Sequence, residues 1–371
     1  MQAASESLPS RARRRLMTVP ILSVLALIST VTLPLAVPAA LVVDLVRRKR
    51  FSTLRSMLFF NYYLVGECAF VYGLLLHWLV RAGWTEAGGQ RLAAYAQARS
   101  DGWGMWLQRG AEWFFGIHIE VEGLEAIDPK ARVVLLLRHV SMGDTVIPPA
   151  FFGRQRGMKV RYIAKRELQM DPIFDIIGGR IAVCFVDRGS GKTEEELAPI
   201  REMARSLAPG EVLGIYPEGT RATRKKLERA KASAKKGLPP ALAERAQTLR
   251  NLLPPRLGGT LALLENAPPD TQVVLAYHVG YEGTTSLRDL LNGRAVGRRI
   301  RLRFDTVPLA SLPTDYDGRA AWLFDRWCAI DAWVSEERRK LYPSELQHED
   351  TATLPAASNL LDAEPDAAST P

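Results

Sequence analysis

Cysteine is scarce. Its three residues, Cys68, Cys184 and Cys328, lie far apart with no C-x-x-C pair, which excludes a disulfide framework and a cysteine-built zinc site. A reducing compartment is the simpler expectation, and no resident metal or cofactor is called for. Charge is missing altogether from Leu16 to Val43, and Lys and Arg are missing from everything after Leu341. The second absence leaves Glu345, Glu349, Asp350, Asp362, Glu364 and Asp366 among scattered Pro and Ala, so residues 342–371 are expected to be a disordered acidic tail. No internal repeat is present, which excludes a solenoid.

What is there supports a folded chain. Of 371 residues, 47% are hydrophobic, enough to bury the core of one large or two ordinary domains. Lys and Arg number 49 against 40 Asp and Glu, a net +9 that favours an anionic partner: phosphate, nucleic acid or a charged bilayer. Nucleic acid is the disfavoured choice, because the bases adjoin apolar segments and no stacking-aromatic motif accompanies them.

The uncharged run from Leu16 to Val43 exceeds the roughly 20 residues needed to cross a bilayer and the roughly 7 to 15 of a secretory signal core, so a retained anchor is expected. A second apolar stretch, Ser56–Val80, is interrupted by Glu67 and carries Tyr62, Tyr63, His77 and Trp78, residues suited to an interface as well as to hydrocarbon. The chain is thus read as a basic N-terminal segment at 1–15, a membrane-anchoring hairpin at 16–81, a catalytic domain at 82–341 and the tail. Two true spans would put Arg47, Arg48, Lys49, Arg50 and Arg55 opposite the basic N-terminus, against the positive-inside tendency. A hairpin inserted from one face, with the first segment bent back at Pro34 and Pro38 or the second kept shallow by Glu67, therefore competes with two spans.

Beyond about Ala82, short β-rich runs alternate with helical stretches, the pattern of an α/β domain. Strands are expected at Ile117–Val121, Arg132–Arg138, Lys159–Ala164, Ile181–Asp187, Val212–Tyr216, Val273–Val279 and Arg299–Asp305. Helices are expected at Asp144–Phe152, Arg166–Ile177, Thr193–Leu207, Thr223–Lys236, Leu257–Asn266 and Arg319–Lys340. The fold class is α/β, a mixed, mostly parallel sheet flanked by helices and preceded by the two-segment membrane hairpin.

Polar groups collect where apolar runs end. Val133–Leu137 runs into Arg138-His139-Val140-Ser141-Met142-Gly143-Asp144, a strand-to-helix turn in which the Asp144 carboxylate can fold back to the His139 ring and leave the other ring nitrogen free as a base. Val212–Tyr216 ends in Pro217-Glu218-Gly219-Thr220-Arg221, Ala182–Val186 ends in Asp187-Arg188, and Val160–Ala164 ends in Lys165. Three cations, Lys165, Arg188 and Arg221, then point at one crevice. Ser141 lacks the G-x-S-x-G elbow and reads as a cap, Cys184 as a buried small hydrophobe, and His278 as a structural histidine close to the site.

The set H-x4-D, F-V-D-R and P-E-G-T-R, in this order and near these intervals, resembles the glycerolipid acyltransferases typified by 1-acylglycerol-3-phosphate acyltransferase. The resemblance runs from about Ile119 to Val279. Lys226–Lys231, Gly237–Pro240 and Leu252–Arg256 resemble the segment C-terminal to P-E-G-T-R in the longer lysophospholipid acyltransferases. The likeness implies His139 as general base and Asp144 as its orienting carboxylate, with Arg188, Glu218, Gly219, Thr220 and Arg221 in the acceptor pocket. Arg221 leads the phosphate candidates and Lys165 comes last. It implies an inner-membrane enzyme, its catalytic domain on the cytoplasmic face, that moves a fatty acyl group from acyl-CoA or acyl carrier protein to a lysophospholipid, first lysophosphatidic acid. Another lyso-lipid, an aminolipid acceptor, or a non-catalytic lipid-binding protein are the alternatives. The sequence departs from the family pattern at Arg138, where Asn usually precedes the His, at Ala182 in place of Gly, and at Met142-Gly143; Arg138 is a further candidate anion contact. The bases from Arg221 to Lys236 form either a solvated helix face or a patch for anionic headgroups.

Overall fold

The computed structural model describes residues 8–81, 83–178, 180–181, 183–186 and 193–345. Seven strands form where the apolar runs place them, with small shifts at their ends: β1 (His118–Glu122), β2 (Val133–Leu137), β3 (Lys159–Lys165), β4 (Val183–Val186), β5 (Glu211–Ile215), β6 (Gln272–Val279) and β7 (Arg299–Pro308). They make one sheet in the order β1-β7-β6-β2-β5-β3-β4, in which β6 and β7 run antiparallel and all other neighbours are parallel. β2 lies between β5 and β6, with Leu136 opposite both Ile215 and Leu275. A strand covered on both faces must be apolar at every position, which is why β2 reads as an unbroken Val-Val-Leu-Leu-Leu run. Val134 and Leu136 join Leu213, Leu263, Phe324 and Trp327 on one face, and Val133, Leu135 and Leu137 join Phe115, Phe151 and Phe152 on the other. Because β2 to β6 are mutually parallel, the turns after β2, β3, β5 and β6 leave one edge of the sheet together.

The helices are α1 (Leu8–Val31), α2 (Leu33–Arg47), α3 (Ser52–Val80), α4 (Glu86–Phe115), α5 (Pro172–Gly178), α6 (Thr193–Arg205), α7 (Arg224–Gly237), α8 (Pro240–Thr248), α9 (Leu257–Asn266), α10 (Leu287–Leu291) and α11 (Tyr316–Leu341). The helix expected at Asp144–Phe152 is instead a 3₁₀ turn, Gly143–Val146, followed by a π-helical segment, Pro148–Gln155. Two adjacent prolines at the start of that segment have no N–H to give an α-helical ladder. The Arg166–Ile177 helix is likewise divided at Pro172, a 3₁₀ turn followed by α5.

The first apolar segment is two helices, and helix α1 begins inside the basic N-terminal segment. The chain bends at Thr32, just before Pro34, and the Thr32 carbonyl still accepts from Ala36 N at 2.9 Å, so the proline kinks the rod without reversing it. The expected proline reversal is therefore corrected. The chain turns back at 48–51, where Arg48, Arg50 and Phe51 adopt left-handed φ of 51°, 49° and 56°. Asp44, buried, accepts from the amides of Thr53 and Leu54 at 3.0 and 2.8 Å and so caps α3 from across the turn. Arg15 Nε donates to Asp175 Oδ2 of α5 at 2.6 Å, and Arg14 pairs with the same carboxylate. Ser52 Oγ donates to the Leu291 carbonyl at 2.8 Å, and Lys49 Nζ to Asn292 Oδ1 at 3.1 Å. Both ends of α1–α2 thus rest on the same α/β domain.

Of the expected tail, residues 342–345 pack on the domain: Tyr342 lies 4.0 Å from the Arg298 guanidinium, and Glu345 pairs with Arg298 at 2.6 Å; residues 346–371 fall outside the described residues.

Helix α4 has no counterpart in the expected elements. Its glycines are contact surfaces: a Cβ at Gly104 would sit 2.6 Å from Pro149 Cγ, and one at Gly110 would sit 2.3 Å from the Tyr62 ring. Proline cannot swing away, so Gly104→Val should destabilise the protein by about 1–3 kcal/mol, read as a lowered urea midpoint at unchanged m-value.

Candidate active site

The turn after β2 is built around one carboxylate. Asp144 is fully buried, and its Oδ1 lies 2.9 Å from His139 Nδ1 while its Oδ2 accepts the amides of Val140 at 2.7 Å and Ser141 at 2.8 Å. With Oδ2 occupied by two amides, Oδ1 is left to accept from the ring, which fixes the His139 tautomer with Nδ1 protonated. Nε2 is then the ring's basic nitrogen. The ring packs at a tilt against Tyr216, just past the end of β5, with centroids 4.3 Å apart, which limits its rotation. Ser141 is fully buried; its Oγ accepts Gly143 N at 3.0 Å and donates to the Thr284 carbonyl at 2.7 Å, so it braces the turn as a cap.

Glu218 is placed differently from the acceptor pocket assigned to it. Its Oε1 accepts His139 N at 2.8 Å and its Oε2 accepts Leu253 N at 3.0 Å, with the side chain buried. The carboxyl group ties the β5 loop to the β2 turn, buried and with each oxygen engaged by a backbone amide. Burial pushes it up to about 8, against the pull of those amides and of Arg138. Gly219 sits at φ +70°, a conformation that favours glycine, and its N–H closes the loop onto the Tyr216 carbonyl at 2.9 Å. Thr220 is half-buried beside it, its Oγ1 accepting from Lys226.

Arg138 is corrected as well. Its guanidinium is buried, donates to the His278 carbonyl and pairs with Glu282 at 2.8 Å, so it is neutralised in the interior and offers no anion contact. An arginine in an otherwise apolar strand requires such an acid, a signal that could have located Glu282. His278, also fully buried, lies behind Asp144 with Nε2 3.4 Å from the Arg138 carbonyl and 3.8 Å from Asp144 Oδ2. Burial, reinforced by Arg138, pushes its imidazole down to about 4 and keeps it neutral.

Arg221 is half-buried and spends one long bond, 3.4 Å from Nη1 to the Thr285 carbonyl. Lys165 is half-buried at the end of β3. Arg188, with Asp187 and Ala182, lies outside the described residues. Next to the catalytic turn, Met142, Gly143 and Thr145 line an apolar cavity of about 260 Å³ whose other walls include Phe59 of α3 and Trp103 and Phe115 of α4. Cys184 is buried in β4, its thiol pushed up to about 11 by burial. Among the described residues, no cluster of His, Cys, Asp and Glu is arranged to hold a metal.

The two braces make distinct expectations. Glu218→Gln sets an NH₂ against a backbone N–H and should destabilise by about 1–3 kcal/mol in thermal or urea unfolding. For Glu282, burial pushes the carboxyl up, but Arg138, Arg338 and His278 more than reverse this, to about 2 from 4.5. A lowered carboxylate stabilises the fold fully above pH 4.5 and loses that contribution as the pH falls toward 2. Urea unfolding across that window should therefore show a pH slope that Glu282→Gln flattens.

A family model described as Acyltransferase matches residues 118–246. The lyso-ornithine lipid O-acyltransferase of Rhizobium meliloti is 28% identical over 105 residues, which are 28% of this chain and 32% of that protein, so the match spans about a third of the relative's length. The crystal structure of the 1-acyl-sn-glycerophosphate (LPA) acyltransferase PlsC from Thermotoga maritima aligns with a TM-score of 0.49 at 13% identity, over 78% of this chain and 98% of that one. The segment that matches the Acyltransferase model, 118–246, contains both the His139–Asp144 turn and the Pro217–Arg221 loop.

Proposed function

We propose that this chain is a membrane-associated acyltransferase that moves a fatty acyl group from an acyl-CoA or acyl carrier protein thioester to the free hydroxyl of a lysophospholipid, first of all 1-acylglycerol-3-phosphate. The observation that carries the reading is the His139–Asp144 pair at 2.9 Å, with Nε2 as its basic nitrogen, beside an apolar cavity. In this reading His139 Nε2 takes the proton of the acceptor hydroxyl as that oxygen attacks the thioester carbonyl. The tetrahedral intermediate collapses by breaking the C–S bond, and the imidazolium returns its proton to the departing thiolate. No acyl-enzyme is needed, because sulfur leaves readily. Asp144 stabilises the imidazolium that forms. Arg221 and Lys165 hold the acceptor's anionic headgroup, and the cavity walled by Phe59, Trp103 and Phe115 takes an acyl chain.

The apolar helices α1 and α3 are long enough to meet a bilayer, and large side chains such as Leu16, Leu27, Leu76 and Val80 are exposed on them. Since both ends of α1–α2 rest on the α/β domain, a hairpin seated in one face fits better than two spans, and it keeps both basic ends on the domain's side. That side is the cytoplasmic face of the inner membrane in this reading. The exposed bases of α7, which buries Leu227 and Ala234, add attraction to anionic headgroups.

A second acceptor class has one observation in its favour: the curated relative is named for a lyso-ornithine lipid. A radiolabelled acyl-CoA assay on a panel of lyso-lipids separates the two. With lysophosphatidic acid, His139→Ala should lower kcat by about 10² to 10⁴-fold, while Arg221→Ala should chiefly raise the acceptor KM. Equal turnover by native and His139→Ala protein would sink the reading.

A further inference from the structure

Lys226 opens the segment C-terminal to P-E-G-T-R and has so far been given no role of its own in the acceptor pocket. It lies in the first turn of α7, behind the Thr223 cap, and its side chain folds back toward the Pro217–Arg221 loop. Its Nζ donates to Thr220 Oγ1 at 2.8 Å and to the Arg221 carbonyl at 3.2 Å, which leaves one of three ammonium hydrogens unspent. The first turn of α7 holds Arg224, Lys225 and Lys226 and no acid. Bases at a helix N-terminus oppose the macrodipole, a local conflict that a bound anion resolves. Burial, then the charges of Arg221 and Lys165, holds the Lys226 ammonium below the usual lysine range, so the three cations act on one another. Among the described residues, none of the three forms an ion pair with a carboxylate.

We propose that Lys226, together with Arg221 and Lys165, seats the phosphomonoester dianion of a lyso-lipid acceptor. This deepens the function proposed above and rests on it. An acceptor carrying an ammonium would need an acid in this seat, and the loop's own acid, Glu218, has both oxygens taken by backbone amides. A headgroup-capped phosphate leaves one negative charge for three cations. The free phosphomonoester offers two charges and three acceptor oxygens, the better match to the set.

The test uses the full-length protein with sn-glycerol 3-phosphate, the water-soluble head of the acceptor, and with lysophosphatidic acid and monoacylglycerol in the acyl-transfer assay. Lys226→Gln keeps a donor for Thr220 but removes the charge. It should weaken glycerol 3-phosphate binding and raise the lysophosphatidic acid KM by about tenfold or more with kcat little changed, while Lys226→Arg recovers most of the loss. Monoacylglycerol, which has no phosphate, should be used equally by native and Lys226→Gln proteins. An unchanged KM, or an equal loss on both acceptors, would make Lys226 a brace for its loop and overturn the proposal. Charge-dependent binding of glycerol 3-phosphate without any acyl transfer by the native protein would keep the anion seat and remove the acyltransferase reading instead.

Discussion

Burying the Asp144 carboxylate is the constraint on which the site depends. A charge at that depth is tolerable only if its oxygens are saturated with donors, and the turn after β2 supplies three: His139 Nδ1 and the amides of Val140 and Ser141. Satisfying the carboxylate therefore sets both the backbone path of the turn and the orientation of the imidazole. The turn can be held so closely because β2 lies mid-sheet, hydrogen-bonded on both sides and apolar on both faces. Glu218 then links this turn to the loop after β5, and the Ser141–Thr284 contact links it to the loop after β6. Three loops distant in sequence are locked to one another by hydrogen bonds to the same few residues.

Charge is sorted across the site as a result. Toward β6, Arg138 is neutralised by Glu282 and His278 is kept uncharged by burial, so that side adds structure and no attraction for an anion. Toward β5 and β3, Arg221, Lys226 and Lys165 have no carboxylate partner among the described residues. His139 lies between the two sides. Basic side chains thus gather in the loops after β5 and β3, while the cavity lined by Met142, Gly143 and Thr145 offers apolar surface near the turn after β2.

Strands and the His139–Asp144 hydrogen bond were legible in the sequence because their signals are local. An unbroken run of Val and Leu has few ways to be satisfied other than burial on both faces, and a carboxylate five residues past a histidine can reach it across one turn. Helix α4 was not legible because its partner-facing positions are glycines such as Gly104 and Gly110, which carry no hydrophobic period yet pack against Pro149 and Tyr62. Glu218 was legible as important but not in direction: whether a carboxylate faces a pocket or two backbone amides depends on where Leu253 comes to rest. Arg138 and Glu282 are 144 residues apart, and only the parallel pairing of β2 with β6, which ends both strands at one edge of the sheet, makes them neighbours. The left-handed reversal at 48–51 carries no glycine to announce it.

The hairpin belongs to the site as well as to any bilayer. Phe59 and Tyr63 of α3 wall the same cavity as Met142 and Gly143 of the catalytic turn, and α4 supplies Trp103 and Phe115 to it. Detaching α1–α3 would open that apolar surface to water at about 25 cal/mol for each Å² exposed, so the domain gains stability by keeping the helices in place. The polar ties at both ends, Arg15 to Asp175 and Ser52 to Leu291, set where along the domain the helices sit. Apolar contact is non-directional and would accept several registers, whereas a hydrogen bond accepts few. Helix α3 in this way carries exposed apolar side chains such as Leu76 and Val80 as well as the cavity-lining Phe59 and Tyr63, so its packing on the domain and the shape of that cavity are set together.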